Sequence, residues 1–230
     1  MRDIVGISFK EYKPVRIPLL DSKDKHCHFI GEARTREAFY IPKENINCPL
    51  ARFYLGIEKS DLKELSSILV TWNDAVSREV GMNYLKTAII IEHPKNYIVY
   101  FSYPEYDLKP DIIVKVGDSE ETQILLQRFS SLTGKRVNAS LSGIGAACGE
   151  YTAYPYVTGK INYVTTGICY GMKMYKLYPE GMQIVSIPWH HIDRVLRNIQ
   201  EMPWSCPGHT DQKEEFYKVA HKNLGVEQII

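Results

Sequence analysis

Two periodicities alternate along the chain. β-Branched and aromatic residues fill Tyr97–Tyr103 and Asp111–Val116, each bounded by proline or glycine, which predicts two strands. After Gly117 the acidic turn Asp118-Ser-Glu-Glu leads into a helix-period apolar repeat over Thr122–Leu132, with carboxylates favouring its start. Val137–Leu141 reads as the next strand, so the order resembles one βαβ unit. Upstream, the pattern predicts a first strand at Pro14–Ile17, a helix over His26–Glu37 and a strand at Ala38–Ile41 broken by Pro42. A helix capped by Asn45 or Asn47 then reaches Leu55 before Gly56; another follows the cap Asp61, and Asn73–Val80 reads as a third. Downstream come strands at Ile161–Thr165 and Met182–Ile187, separated by Gly167–Gly171 as a tight turn or helix entry, and a helix over Trp189–Gln200.

These elements predict an α+β fold. No Gly/Ser-rich or proline-rich linker interrupts them, so residues 1–201 are expected to form one compact domain, a central mixed sheet flanked by helices. Residues 202–230 are polar, contain Pro203 and Pro207, and are expected to pack on the domain or extend from it.

Composition narrows the function classes. At 230 residues and 44% hydrophobic content the chain can bury a full core without crosslinks. Lys+Arg (28) nearly equals Asp+Glu (27), so no global field draws nucleic acid or an anionic membrane. The sixteen tyrosines lack the basic interleaving of a stacking surface for nucleic acid. The start lacks the pattern of a signal peptide and no apolar run is long enough to span a bilayer, which predicts a cytoplasmic protein. Its five cysteines, odd in number and widely spaced, are then expected to be reduced.

Candidate chemistry centres on Cys27, Cys48, Cys148 and Cys169. Soft thiolates suit an iron–sulfur cluster or zinc, and Gly145 and Gly149 would let backbone N–H groups approach a cluster or an anion beside Cys148. No C-x-x-C pair is present, so buried unliganded thiols and a single reactive thiol stay open as readings. His26-Cys27-His28 looks chelating, but adjacent helical residues point about 100° apart and cannot face one ion. Cys206-Pro-Gly-His209 has half a zinc-site spacing, or is a plain turn. His190 and His191 are candidates for a general base, or solvent-facing histidines at a helix start. Arg34 and Arg52 can hold an anionic ligand, or form structural salt bridges.

The segments Lys13-Pro-Val-Arg-Ile17, Cys27-His-Phe-Ile-Gly-Glu-Ala-Arg34 and Cys48-Pro-Leu-Ala-Arg-Phe-Tyr-Leu-Gly56 resemble the opening of the domain of unknown function 169 family. Pro110-Asp-Ile-Ile-Val114 looks like its middle; Ala146-Ala-Cys-Gly-Glu150, Thr158-Gly159, Gly167-Ile-Cys-Tyr-Gly171 and Ile187-Pro188 look like its end. The resemblance implies a source among archaea or anaerobic bacteria and no established activity. Lys173 departs from it, standing where an arginine is expected, and the leading helix is absent or shortened.

Taken together, the residues give one leading expectation: a cysteine-ligated metalloprotein, with Cys27, Cys48, Cys148 and Cys169 holding an iron–sulfur cluster in a redox or Lewis-acid role and zinc as the alternative metal. Arg34 and Arg52 would tune its charge or hold a small anionic ligand, and a homo-oligomer is compatible with it. Two other readings stand beside it. One is a non-enzymatic small-ligand binding or assembly protein with buried structural cysteines; the other is a thiol enzyme using Cys148 with His190 or His191 as base.

Overall fold

A computed structural model describes residues 4–104, 108–142, 144–165, 178 and 181–201, with the side chains of 196–201 left aside. Its elements run β1 (Ile4–Lys10), α1 (His26–Glu32), β2 (Phe39–Pro42), a 3₁₀ turn (Lys43–Asn45), α2 (Pro49–Tyr54), α3 (Leu62–Thr71), α4 (Arg78–Lys86), β3 (Tyr97–Ser102), β4 (Ile112–Gly117) and α5 (Ser119–Thr133). A π-helix (Ala146–Ala153), α6 (Tyr154–Thr158), β5 (Asn162–Thr165), β6 (Gln183–Pro188) and α7 (Trp189–Glu201) follow.

The α+β class is as the sequence predicts, with the strands forming a single six-stranded sheet in the order β2-β3-β1-β4-β6-β5. Every pairing between these strands is antiparallel, which corrects the expected mixed sheet. The predicted βαβ unit is absent for a specific reason. Residues 137–141 do not form a strand; there Ser140 exchanges two hydrogen bonds with the Asn162 side chain, accepting from Nδ2 at 3.0 Å and donating to Oδ1 at 2.8 Å. The first strand is also displaced. Pro14–Ile17 lies in a bend with Arg16 in the left-handed region, whereas Ile4–Lys10 takes the centre of the sheet.

Strand alternation divides the core in two. Val5, Ile7 and Phe9 of β1, Tyr100 of β3 and Val114 of β4 face a large core covered by α1–α4 and the π-helix. Ile113 of β4 with Val185 and Ile187 of β6 face the other way, beneath α5 and α7. Local chemistry sets the helix ends. Asp118 and Glu121 form a reciprocal capping box, and Gly134 closes α5 in the left-handed conformation. Pro49 occupies the first turn of α2, so Cys48 becomes its N-cap in place of Asn45 or Asn47. Ser77 caps α4, moving that helix downstream of the predicted Asn73–Val80. The helix starting at His26 stops at Glu32, with Ala33 as its C-cap, five residues before the predicted end.

Among the described residues no helix is long and apolar enough to cross a membrane. The predicted Gly167–Gly171 turn, Cys169, Lys173, the Cys206–His209 spacing and the 202–230 tail lie outside the described residues.

Candidate functional site

The small-residue run Ala146-Ala-Cys-Gly forms the first half of a π-helix in which every residue is buried. In an α-helix the carbonyls of Ala147 and Glu150 would accept from the N–H four residues on, whereas that of Tyr151 would face Pro155, which has none. Here a side chain donates to each of the three. Thr152 Oγ1 donates to Ala147 at 2.7 Å, Asn162 Nδ2 to Glu150 at 2.6 Å and Ser186 Oγ to Tyr151 at 2.7 Å. The last two donors belong to β5 and β6, so the widened helix is tied directly to the sheet. Segments of this kind are rare and recur at functional sites.

One side of the π-helix carries a chain of hydroxyls. The phenol oxygens of Tyr54 and Tyr84 lie 2.8 Å apart, and Tyr84 donates to the Ile144 carbonyl at 2.6 Å while also touching Ser142 Oγ. Tyr84 therefore accepts from Tyr54. Gly145 and Gly149 make room for this arrangement. A Cβ on either would come within 2.6 and 2.8 Å, respectively, of the Tyr54 ring. The close approach that these glycines permit is that of Tyr54. Cys148 sits between them, 6% exposed, and its Sγ donates to the Gly145 carbonyl at 3.4 Å.

Glu150 is the unusual member of the site. It is 8% exposed, yet among the described residues its Oε2 has no hydrogen-bond partner. Burial pushes its carboxyl above the usual range, against opposing hydrogen bonds from Ser140 and Asn162. Burial also raises both phenols, and the charges that further raise them come from acids: Cys148 and Glu150 act on each, and Tyr84 acts on Tyr54. Two phenols, a thiol and a carboxyl thus share one poorly solvated region, and among the described residues no cation enters their balance.

On the other side the π-helix meets α1. His26, 1% exposed, sits between the Tyr100 hydroxyl (2.7 Å from Nδ1) and Thr152 Oγ1 (2.9 Å from Nε2). Since Thr152 gives its proton to Ala147, Nε2–H is the donor to Thr152 and Nδ1 accepts from Tyr100. Every polar atom in this chain is satisfied and the imidazole is neutral; burial lowers its pKa to about 3.

The remaining predicted residues are distributed as follows. Cys27 is buried beside Tyr100, and Cys48 is half-buried at the start of α2. Among the described residues no three His, Cys, Asp or Glu side chains are grouped to hold a metal ion, so Cys27, Cys48 and Cys148 are not assembled as a ligand triad. His28 points away from His26, with Asp24 Oδ2 2.6 Å from its Nδ1 and Glu32 Oε1 3.3 Å from its Nε2. Arg52 donates to the Ile46 carbonyl at 2.9 Å and pairs with Glu58 at 2.7 Å, the structural salt bridge of the two readings. Arg34 is buried, with its guanidinium 5.3 Å from the centre of the Tyr178 ring. His191 contacts the Gly159 carbonyl at 3.2 Å and packs edge-on against Phe129, while His190 is exposed.

The sequence reading missed Tyr54, Tyr84, Ser142 and Asn162, and passed over Glu150 within a quoted motif. One signal was available: Glu150 is an isolated acid in the run Ala-Ala-Cys-Gly-Glu-Tyr-Thr-Ala, where a solvated side chain has little place.

A family model described as an uncharacterised ArCR family, domain of unknown function 169, matches residues 2–198. An uncharacterized protein of Methanocaldococcus jannaschii is 26% identical over 206 residues, covering 87% of each chain. No solved structure matches the chain.

Proposed function

The chain belongs to the domain of unknown function 169 family, and within it we propose that this member is a cytoplasmic small-ligand binding protein whose ligand is a small organic cation received at the π-helix by Glu150. The observation that carries this reading is the Glu150 carboxyl, nine-tenths buried, with one oxygen unpartnered and no cation in its charge balance among the described residues. A buried carboxylate with one oxygen unpartnered is costly, and a ligand that supplies both a positive charge and an N–H donor removes that cost. Tyr54, Tyr84 and Cys148 would complete the receiving surface as uncharged acceptors and as acids whose partial charges favour a cation.

In this reading Cys27 and Cys148 are packed thiols of the core rather than cluster ligands, and Arg52 is structural. The test is calorimetric titration of the full chain with methylammonium and guanidinium chloride, beside Glu150→Gln. Binding to the wild type that is lost in the variant supports the assignment. Equal binding by both proteins, or none by either, overturns it.

A further inference from the structure

On the sheet face opposite the π-helix, the packing of α5 and α7 over β4 and β6 leaves a cavity of about 270 Å³. Its walls are largely aliphatic, with Ile113, Ile187, Leu125 and Ile192 among them. Its charged lining residues are Lys115 and Glu121. The cavity is partly open to solvent, and walls of this kind offer few polar partners to ordered water. The volume invites an apolar occupant.

The charged edge decides what else that occupant carries. Each oxygen of Glu121 has a partner: Oε1 faces Lys115 Nζ at 2.9 Å, and Oε2 accepts the Asp118 backbone N–H at 3.2 Å within the capping box. Lys115 is the more buried partner, its side chain 14% exposed against 47% for Glu121. An ammonium has three donors, and Glu121 takes one of them. The edge therefore keeps ammonium donors of Lys115 for an incoming group.

We infer that this cavity binds a small amphiphilic anion, an aromatic or branched aliphatic body bearing a carboxylate that Lys115 receives. Since an apolar cavity of roughly 150 Å³ takes benzene, the body and head together amount to about ten non-hydrogen atoms. The site is independent of Glu150, lying across the sheet from it.

The experiment uses the full chain with 3-phenylpropionate, 3-phenylpropionamide and 3-phenylpropylamine, read by calorimetry and by the shift in unfolding midpoint. The acid should bind and raise the midpoint, the amide should bind on the order of tenfold more weakly, a loss typical of one charge-assisted hydrogen bond, and the amine more weakly still. Lys115→Gln should reduce the acid to the level of the amide and leave the amide unchanged. Leu125→Trp, which fills the cavity, should abolish all binding. Should that variant fail to fold, perturbation of the Ile113 and Ile187 methyl resonances of the wild type by the acid locates the site instead. Glu150→Gln should leave these affinities unchanged, which separates this site from the one at the π-helix. Absence of binding by all three compounds, an amine as tight as the acid, acid binding undiminished in Lys115→Gln, or unperturbed methyls would each overturn the assignment.

Discussion

His26 Nε2 lies 2.9 Å from Thr152 Oγ1, and this bond joins the first helix to the π-helix across 126 residues of sequence. It completes a directional chain from Tyr100 through His26 and Thr152 to the Ala147 carbonyl. Thr152→Val keeps the shape of the side chain and removes both of its hydrogen bonds, leaving the imidazole N–H without a partner and the buried Ala147 carbonyl with one donor fewer. The expected loss of stability is about 1–3 kcal/mol, measured by urea unfolding with the slope unchanged.

The same histidine gives the protein an acid-sensitive component. Because burial lowers its folded pKa to about 3, the unfolded chain takes up a proton below its ordinary value of 6.5 while the folded one does not. Its contribution is therefore complete above pH 6.5 and is lost progressively as the pH falls from there toward 3. The slope is at most about 1.4 kcal/mol per pH unit for one proton. His26→Gln should flatten the pH dependence of stability between pH 6 and 4 by about one proton, although it lowers stability at pH 7.

Glu150 titrates with the opposite sign. Its folded carboxyl is raised by burial, so the folded state holds its proton more tightly and stability falls as the pH rises above the ordinary carboxylate range. Glu150→Gln should flatten that decline and stabilise the ligand-free protein at pH 7, measured by parallel unfolding curves at pH 5 and 8.

Gly149→Ala would place a methyl group 2.8 Å from the Tyr54 ring. The ring must move, and its bond to Tyr84 moves with it. The expected cost is about 1–3 kcal/mol. A second variant, Gly149→Ala with Tyr54→Leu, should cost less than the sum of the two single changes.

Arg52→Ala removes a half-exposed ion pair and one bond to the Ile46 carbonyl. It should cost about 1 kcal/mol and leave cation binding at the π-helix unaltered.

Much of the fold was legible where local chemistry agrees with the final structure. Asp118 and Glu121 announce the start of α5, the aromatic and β-branched run at Tyr97 predicts β3, and Asp61 and Pro188 mark true boundaries. What was illegible depends on partners distant in sequence. Ile4–Lys10 is a short apolar start until β3 and β4 pair on either side of it. Asn162 and Ser186 donate to carbonyls of the π-helix from strands that follow it, and nothing within Ala146–Ala153 itself reports those partners. The proposed site turns on a carboxyl two positions after Cys148 rather than on the cysteines themselves.

The most direct test of that environment is the titration of the Glu150 side-chain carboxyl by ¹³C NMR, without and with methylammonium or guanidinium. The account predicts a carboxyl that titrates above the ordinary range in the free protein and moves down when a cation binds. A titration curve that no cation displaces would contradict it.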